Sequence, residues 1–257
     1  MMFAADALAG KIVIVTGASR GLGRTFTEAL KSAGAQVVAL ARQSAELEQM
    51  KEVLGEGDMV LPCDLSSPDD VRAAIDQAGQ RYGRIDTVVH NAAIATLLTL
   101  EEATPDEIQR EYAVNLIGPA NATAAAIPYL REAGGGDLVF ISSESVRMPF
   151  PYMSLYVSSK AALESLAAGL RSELRPQGTR VSVLRIGGLD SGTIGKQWDP
   201  ERMQQFVAAA SSGGFFQFTG KLFSLDSAAK ALLAMLTLPR DVNLDIVEAR
   251  GAAPLEA

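Results

Sequence analysis

The segment Lys11-Ile-Val-Ile-Val-Thr16-Gly17-Ala-Ser-Arg-Gly21-Leu-Gly23 decides the fold of this 257-residue chain. Its first half is a short, largely β-branched run, which predicts a buried parallel strand. Residues 24–33 carry apolar side chains at helical spacing, so strand, glycine turn and helix follow one another. Gly17 permits the tight turn, and Gly21 and Gly23 remove side chains where the backbone must approach a pyrophosphate at the helix N-terminus.

The end of the second predicted strand, residues 36–41, bears on the type of nucleotide. An acidic residue about 20 positions beyond the glycines often binds the ribose 2′-OH of NAD. Here Ala41 and Arg42 follow instead, and Arg20 lies within the glycine turn. A guanidinium can bind a 2′-phosphate through charge-assisted hydrogen bonds, so the sequence predicts NADP(H). The alternative is that Arg42 is only a solvated charge at the start of the next helix.

Predicted strands and helices alternate to about residue 185, with short polar connections and no internal repeat. This βαβα pattern predicts an α/β fold in which a parallel sheet has helices on both faces. The composition, 48% apolar over 257 residues, fits one domain that extends over residues 1–257.

Three polar residues in the second half of the chain suggest acid–base chemistry. Tyr156 and Lys160 are four residues apart in a predicted helix and therefore share a face. A nearby ammonium favours the phenolate and is expected to lower the pKa of the tyrosine. Ser143 follows the predicted strand 137–142, at the sheet edge where open α/β folds bind ligands. Taken singly, each residue also fits a structural role, but the three together favour proton exchange with a substrate oxygen.

These motifs resemble the short-chain dehydrogenase/reductase family, in its compact single-domain branch, over roughly residues 11–185. The resemblance implies a Rossmann-like, doubly wound sheet and hydride transfer between NADP(H) and a carbonyl or secondary alcohol. It assigns a catalytic tetrad to Asn115, Ser143, Tyr156 and Lys160, in which Asn115 positions a proton-relaying water and Lys160 also binds the ribose. The cofactor contacts that the motifs and the resemblance give are Gly17, Ser19, Arg20, Gly21, Leu22, Gly23, Arg42, Asp64, Leu65, Asn91, Ala92, Tyr156, Lys160, Gly188, Ser191 and Thr193.

The chain departs from the family pattern at two places. Ala93 replaces the usual glycine of the Asn-Ala-Gly motif, and Gly187-Gly188 replaces Pro-Gly after the sixth strand. The second change makes that turn more flexible. It also leaves open whether Ser191 or Thr193 holds the nicotinamide carboxamide.

The resemblance places a substrate-covering segment at about residues 187–221. This segment is rich in large apolar side chains, and residues 148–153 add further apolar bulk beside the predicted site. Such linings favour apolar ligands, so we expect a hydrophobic or aromatic ketone, aldehyde or alcohol as substrate. The alternative is that the aromatic residues are ordinary core. They are Trp198, Phe206, Phe215, Phe216 and Phe218.

The remaining features bound the class of protein. His90 and Cys63, the only residues of their types, are expected to be buried structural residues, and no cluster has metal-ligand spacing. Net charge −7 without a basic block argues against nucleic acid as a partner. The single cysteine, and the absence of a secretory signal or membrane-spanning run, predict a cytoplasmic protein. By analogy with the family, the helical regions 105–130 and 154–174 predict a homodimer or homotetramer.

Two other functions are compatible with the motifs. A catalytically weak NADP(H)-binding sensor or scaffold is supported only by the altered Gly187-Gly188 turn, and the intact set of Ser143, Tyr156 and Lys160 argues against it. Epimerisation or dehydration on the same fold is the other, but such relatives usually have a larger C-terminal substrate region and another glycine spacing.

Overall fold

A seven-stranded parallel sheet forms the centre of the computed structural model, which describes residues 6–191 and 198–252. Its strand order is β3-β2-β1-β4-β5-β6-β9, and β7 and β8 form a separate parallel pair. The strands are β1 (Ile12–Thr16), β2 (Gln36–Ala41), β3 (Met59–Pro62), β4 (Thr87–His90), β5 (Asp137–Ser143), β6 (Arg180–Ile186), β7 (Leu189–Asp190), β8 (Phe223–Ser224) and β9 (Ile246–Ala249).

Helices cover both faces of this sheet, which confirms the predicted doubly wound architecture. The helices are α1 (Gly21–Ser32), α2 (Ala45–Val53), α3 (Pro68–Tyr82), α4 (Pro105–Tyr112), α5 (Gly118–Glu132), α6 (Ser154–Leu174), α7 (Pro200–Ser212), α8 (Phe215–Thr219) and α9 (Leu225–Leu236). One core packs α3, α5 and α6 against the sheet, and the other packs α1, α2 and α9. Alternate side chains of β1 enter the two cores, as Ile14 and Val15 do, because successive strand residues face opposite sides.

The strand order reverses between β1 and β4, which are neighbours although β2 and β3 separate them in sequence. Ligands of open α/β sheets bind outside the carboxyl ends of the strands at this reversal. The glycine turn after β1 and the loop after β4 both lie there. The fold thus places the predicted cofactor turn at the expected edge of the sheet.

The helical region 105–130 is not one continuous α-helix. A π-helix, Ala113–Ile117, separates α4 from α5. A side chain at Gly118 would come within 2.6 Å of the Leu65 carbonyl oxygen, so the helix passes the loop after β3 very closely at this point. Within residues 6–191 and 198–252, no helix is both long and apolar enough to cross a bilayer.

Candidate active site

The glycine turn has the backbone geometry that the sequence predicts. Gly17 and Gly21 have φ angles of +67° and +53°, which residues with a side chain rarely adopt. A Cβ atom at Gly23 would overlap the carbonyl oxygen of Gly17, and one at Gly17 would lie 2.9 Å from the Cα of Ala92. Helix α1 begins at Gly21 without a side-chain cap on its first N–H groups among the described residues. The turn therefore presents backbone donors at a helix N-terminus in a space that only glycine leaves open.

Asn91 holds this turn from the neighbouring strand. Its Nδ2 donates to the carbonyl oxygen of Thr16 at 2.9 Å, and its backbone N–H donates to the Thr16 hydroxyl at 3.0 Å. The N–H of Ala92 donates to the same hydroxyl at 3.1 Å. The Asn91 side chain thus joins the ends of β1 and β4. Thr16 is a functional support that the sequence reasoning missed, although its position directly before the turn is a visible signal.

The residues predicted to bind the adenosine end lie along the same sheet edge. Arg42 is exposed just after β2, and Arg20 is exposed before α1. Hydrogen bonds from Ser66 lower the pKa of Asp64, and the charge of Arg42 acts in the same direction. Leu65, by contrast, is buried in the core beside α3, so only its backbone remains for a cofactor contact. Ser19 and Leu22 are half-buried within the turn itself.

Ser143, Tyr156 and Lys160 come together at the carboxyl end of β5. Ser143 ends this strand, and its hydroxyl accepts a hydrogen bond from the Ser145 N–H at 3.2 Å. Lys160 Nζ lies 5.8 Å from the centre of the Tyr156 ring and donates to the Ile141 carbonyl oxygen at 2.8 Å. The spacing of four residues therefore places both α6 side chains on the face that β5 approaches.

The predicted lowering of the Tyr156 pKa is wrong for the protein by itself. Burial raises the pKa of Tyr156 to about 12, although hydrogen bonding to Ser143 opposes this rise. Burial likewise lowers the pKa of Lys160 to about 8, against the effect of the Glu164 charge. A lysine that loses its proton more readily offers less support to a phenolate. Burial, which a sequence does not reveal, is therefore the largest influence on the pKa of Tyr156.

Asn115 lies in the π-helix and is fully buried. Its Oδ1 accepts from the Ile94 N–H at 2.9 Å, while Nδ2 donates to the Ile94 carbonyl oxygen at 2.8 Å and to the Ser159 hydroxyl at 3.0 Å. The side chain thus ties the loop after β4 to the helix that carries Tyr156. Its role in positioning a water stays a prediction.

The turn after β6 explains one departure from the family pattern. A Cβ at Gly187 would lie 3.0 Å from Cγ of Arg250 and 3.1 Å from Oε2 of Glu144, so these side chains occupy the space that proline would need. Gly188 is similarly crowded, since a Cβ there would lie 2.7 Å from side-chain atoms of Thr219 and Leu222. Ser191 is half-buried after β7, whereas Thr193 lies outside the described residues.

An apolar cluster covers Tyr156. It is centred on Leu97, Met153, Val157, Phe206 and Ala210, and Tyr156, Trp198, Phe150, Phe215 and Phe216 are among the side chains packed against it. Trp198 Nε1 donates to the Ala95 carbonyl oxygen at 2.8 Å, which fixes the segment before α7 to the loop after β4. Phe218 is the exception among the predicted aromatic residues, because it lies under the guanidinium of Arg250 at 4.7 Å instead.

His90 and Cys63 are buried structural residues, as expected. His90 stacks on Phe140 and shares a hydrogen bond of 3.0 Å with the Thr123 hydroxyl, while burial lowers its pKa to about 3. Burial raises the pKa of the Cys63 thiol to about 12, which makes it a poor nucleophile. Among the described residues, no group of three or more His, Cys, Asp and Glu side chains is placed to hold a metal ion.

Two buried carboxyl groups near the site were not predicted from the sequence. Glu111 of α4 is fully buried, and burial raises its pKa to about 7. Glu144, directly after Ser143, is 2% exposed, and burial raises its pKa as well. The only signal in the sequence is position, since Glu111 precedes Asn115 by one helical turn and Glu144 follows the predicted serine.

Comparison with known proteins identifies the family of this chain. A family model described as short chain dehydrogenase matches residues 11–202. The 11-beta-hydroxysteroid dehydrogenase A of Sesamum indicum is 38% identical over 180 residues, which make up 68% of this chain and 51% of that protein. The chain therefore spans about half the length of this curated relative.

Solved structures show the same fold over nearly the whole chain. A metagenomic short-chain oxidoreductase in complex with NADP is 26% identical, with a TM-score of 0.77 and coverage of 96% of this chain and 99% of that one. An alcohol dehydrogenase from the archaeon Thermococcus sibiricus, complexed with 5-hydroxy-NADP, is 27% identical, with a TM-score of 0.79 and the same coverage. Together with the family match over residues 11–202, these likenesses show that the chain belongs to the short-chain dehydrogenase family.

Proposed function

We propose that this oxidoreductase transfers a hydride between NADP(H) and the carbonyl or secondary alcohol group of a hydrophobic substrate. The observation that carries the proposal is the position of Tyr156. It lies beside Ser143 at the end of β5, Lys160 Nζ is 5.8 Å from its ring, and an apolar cluster packs against it. A proton donor under an apolar cover suits carbonyl chemistry more than it suits a purely structural role.

The residues of the glycine turn fit a dinucleotide. A Cβ at Gly17 or Gly23 would collide with Ala92 or with the turn itself, so glycine keeps the turn tight. At Gly21, the uncapped start of α1, no described atom lies within 4 Å of a Cβ position, which leaves room for a pyrophosphate that accepts backbone hydrogen bonds. Arg20 and Arg42, both exposed on this edge, would bind the 2′-phosphate that distinguishes NADP from NAD. The NADP of the metagenomic relative and the 5-hydroxy-NADP of the archaeal alcohol dehydrogenase support the same preference.

Proton transfer is the part of the reaction that falls to the protein. When bound, NADP(H) would supply or accept the hydride. In reduction, the Tyr156 hydroxyl donates its proton to the substrate oxygen, which Ser143 holds by a hydrogen bond. In oxidation, the same oxygen of Tyr156 takes the proton back. Lys160, held by the Ile141 carbonyl, lies where it can bind ribose hydroxyls and replace the proton on the tyrosine.

The cover over the site suggests the substrate class. Trp198, Phe206 and Phe150 contact one another in the apolar cluster against which Tyr156 packs. The names of the relatives, a hydroxysteroid dehydrogenase and an alcohol dehydrogenase, are compatible with a bulky apolar alcohol or ketone. We therefore expect better turnover of hydrophobic or aromatic ketones and aldehydes than of small charged keto acids.

Three further features complete the proposal. We infer one catalytic domain with a substrate-covering segment at about residues 187–221, a cytoplasmic location and a homodimer or homotetramer. A catalytically weak sensor or scaffold remains the alternative, and the set of Ser143, Tyr156 and Lys160 favours the enzyme over it.

The test is NADPH consumption by the purified protein over a panel of aromatic and aliphatic ketones and aldehydes. Replacement of the acid–base group in Tyr156→Phe is expected to lower kcat by about 10²- to 10⁴-fold while NADPH binding is retained. Tyr152→Phe is the matched control, since it removes a hydroxyl from the same apolar cluster four residues earlier. Near-normal turnover in Tyr156→Phe would refute the proposed mechanism.

A further inference from the structure

Glu111 is a buried carboxyl group without a full set of partners. It is 0% exposed, and Oε2 accepts one hydrogen bond, from the Thr96 N–H at 3.3 Å. Oε1 has no hydrogen-bond partner among the described residues. Burial of an unsatisfied carboxyl group costs free energy, and most buried polar atoms in native proteins are paired. Packing alone therefore does not account for an acid at this position.

Its surroundings connect Glu111 with the proposed acid–base residue. Asn115, one turn later in the chain, holds the backbone of Ile94, and Glu111 holds the backbone of Thr96. Ala95 and Leu97 pack into the apolar cluster that covers Tyr156. One loop is thus fixed on one side by two polar side chains and contacts the tyrosine on the other. The charge of Glu111 also acts to raise the pKa of Tyr156, although burial is the larger cause of that rise.

We propose that Glu111 is a positioning residue that holds the loop at residues 94–97 against Tyr156 and titrates with this tyrosine as a coupled pair. This inference rests on the proposed function, in which Tyr156 exchanges a proton with the substrate. The consequence is electrostatic. A carboxylate beside Tyr156 disfavours the phenolate and keeps the tyrosine in its proton-donating form to higher pH.

The other titratable groups around Tyr156 leave this effect in place. On its own helix, Lys160 faces the ring, and behind it Glu164 pairs with Arg185 of β6 at 2.6 Å. From β5, Ser143 contributes a hydroxyl that lowers the pKa of the tyrosine. From α4, Glu111 contributes a negative charge, which has the same sign as the phenolate of Tyr156.

Around Glu111 itself, the charge of Glu107 raises the pKa of Glu111 further, although less than burial does. Because burial brings this pKa to about 7, the carboxylate forms in the neutral range, where the enzyme is expected to work.

The experiment is the pH profile of alcohol oxidation, which requires the deprotonated tyrosine. In Glu111→Gln the amide oxygen can still accept the Thr96 hydrogen bond, but the charge is removed. We expect the midpoint of the rise in kcat/KM with pH to move down by about one pH unit. The exposed Asp106→Asn, on the first turn of the same helix, is the matched control and should leave the midpoint unchanged.

A second readout does not depend on turnover. Ultraviolet absorbance follows formation of tyrosinate, and subtraction of the corresponding Tyr156→Phe protein isolates the titration of Tyr156. The same downward shift is expected in folded Glu111→Gln. Glu111→Asp, which withdraws the carboxyl group by one methylene, should give a smaller shift in the same direction and serves if the glutamine variant does not fold.

The outcomes separate this inference from the proposed function. One outcome is that Glu111→Gln lowers the rate equally at every pH and leaves unchanged both the midpoint of kcat/KM and the midpoint of tyrosinate formation. That result would show that Glu111 is only structural and would overturn the inference. High activity of Tyr156→Phe would instead remove the proposed mechanism, and the absorbance titration would still decide whether the two groups are coupled.

Discussion

At the scale of single residues, Arg42 is expected to decide the choice of cofactor. It is exposed after β2, where an acidic residue would repel a 2′-phosphate. Charge-assisted hydrogen bonds contribute about 1.5–3 kcal/mol, so Arg42→Asp should lower the ratio of kcat/KM for NADPH over NADH by about 10- to 100-fold. Steady-state kinetics with both cofactors measure this ratio. Arg72→Asp, at an exposed site on α3, should leave it unchanged, and an unchanged ratio in Arg42→Asp would contradict the assignment.

Glu111 should also make stability depend on pH. Its pKa in the folded protein is about 7, against an ordinary value of 4.5. Between these values the folded state binds more protons than the unfolded state, so stability falls as pH rises. Glutamine does not ionise. We therefore expect the difference in Tm, Glu111→Gln minus wild type, to increase by a few degrees from pH 5 to pH 8. Thermal unfolding at several pH values measures this difference in Tm. A difference that does not change with pH would contradict the prediction.

The residues of the site differ in how far a sequence can predict them. The spacing of Tyr156 and Lys160 fixes a shared helical face, and the structure places Ser143 next to them. The protonation behaviour of Tyr156 does not follow from spacing, because burial depends on which segments cover it. Glu111 was unpredictable for the same reason, since an acid in a helix is usually solvated and this one is fully buried.

At the scale of elements, the contact between α3 and α5 depends on one glycine. A Cβ at Gly79 would overlap the ring of Tyr129, whose hydroxyl donates to Asp76 at 3.1 Å. Gly79→Ala should therefore destabilise the protein by about 1–3 kcal/mol. Gly169→Ala is the matched control, because Gly169 is exposed on α6 with no atom near its missing Cβ. It should stabilise by about 0.5–1 kcal/mol. Chemical denaturation measures the free energy of unfolding of both variants. Equal changes in the two would contradict the close packing at Gly79.

Element boundaries were predictable where local chemistry sets them. The second strand and the helix 154–174 have the predicted limits, and α1 begins at the glycine turn itself. The π-helix between α4 and α5 was not predictable, because it goes with a close approach of Gly118 to Leu65, which is distant in sequence. The pairing of β7 with β8 likewise depends on contacts between segments over thirty residues apart.

At the scale of the whole molecule, a charge network links the active-site helix to the edge of the sheet. Glu164 of α6 accepts hydrogen bonds from Ser142 and Arg185, at 2.6 Å and 2.8 Å from its Oε1. Arg185 also lies 3.5 Å from Glu248 of β9. Hydrogen bonding to Glu164 raises the pKa of Arg185, and the Glu164 charge opposes the larger lowering of the Lys160 pKa by burial. Strands β5, β6 and β9 are thus joined by side chains as well as by backbone, which stiffens the floor under Tyr156.

The outer surface of the helices that carry the site is expected to form the contact between subunits. Tyr112 of α4 and Ser158 of α6 share a hydrogen bond of 2.7 Å on this surface, and Ile117, at the end of the π-helix that follows α4, is 50% exposed. A large apolar side chain in such a position suits an isologous interface, in which each copy would bury the same face. Charges there would meet like charges across the two-fold axis. We therefore expect Ile117→Lys to shift the assembly towards monomers.

Size-exclusion chromatography with light scattering measures this shift over a range of protein concentrations. Val207→Lys is the matched control, because Val207 is also an exposed apolar residue, at 39%, but belongs to α7 rather than to α4, α6 or the π-helix. It should keep the wild-type mass. A wild-type protein that is monomeric at all concentrations, or an equal loss of mass in both variants, would contradict the placement of the interface. Because Tyr112 and Asn115 both bond to α6, a true interface here should also lower turnover when it is lost, since it supports the helix that carries Tyr156.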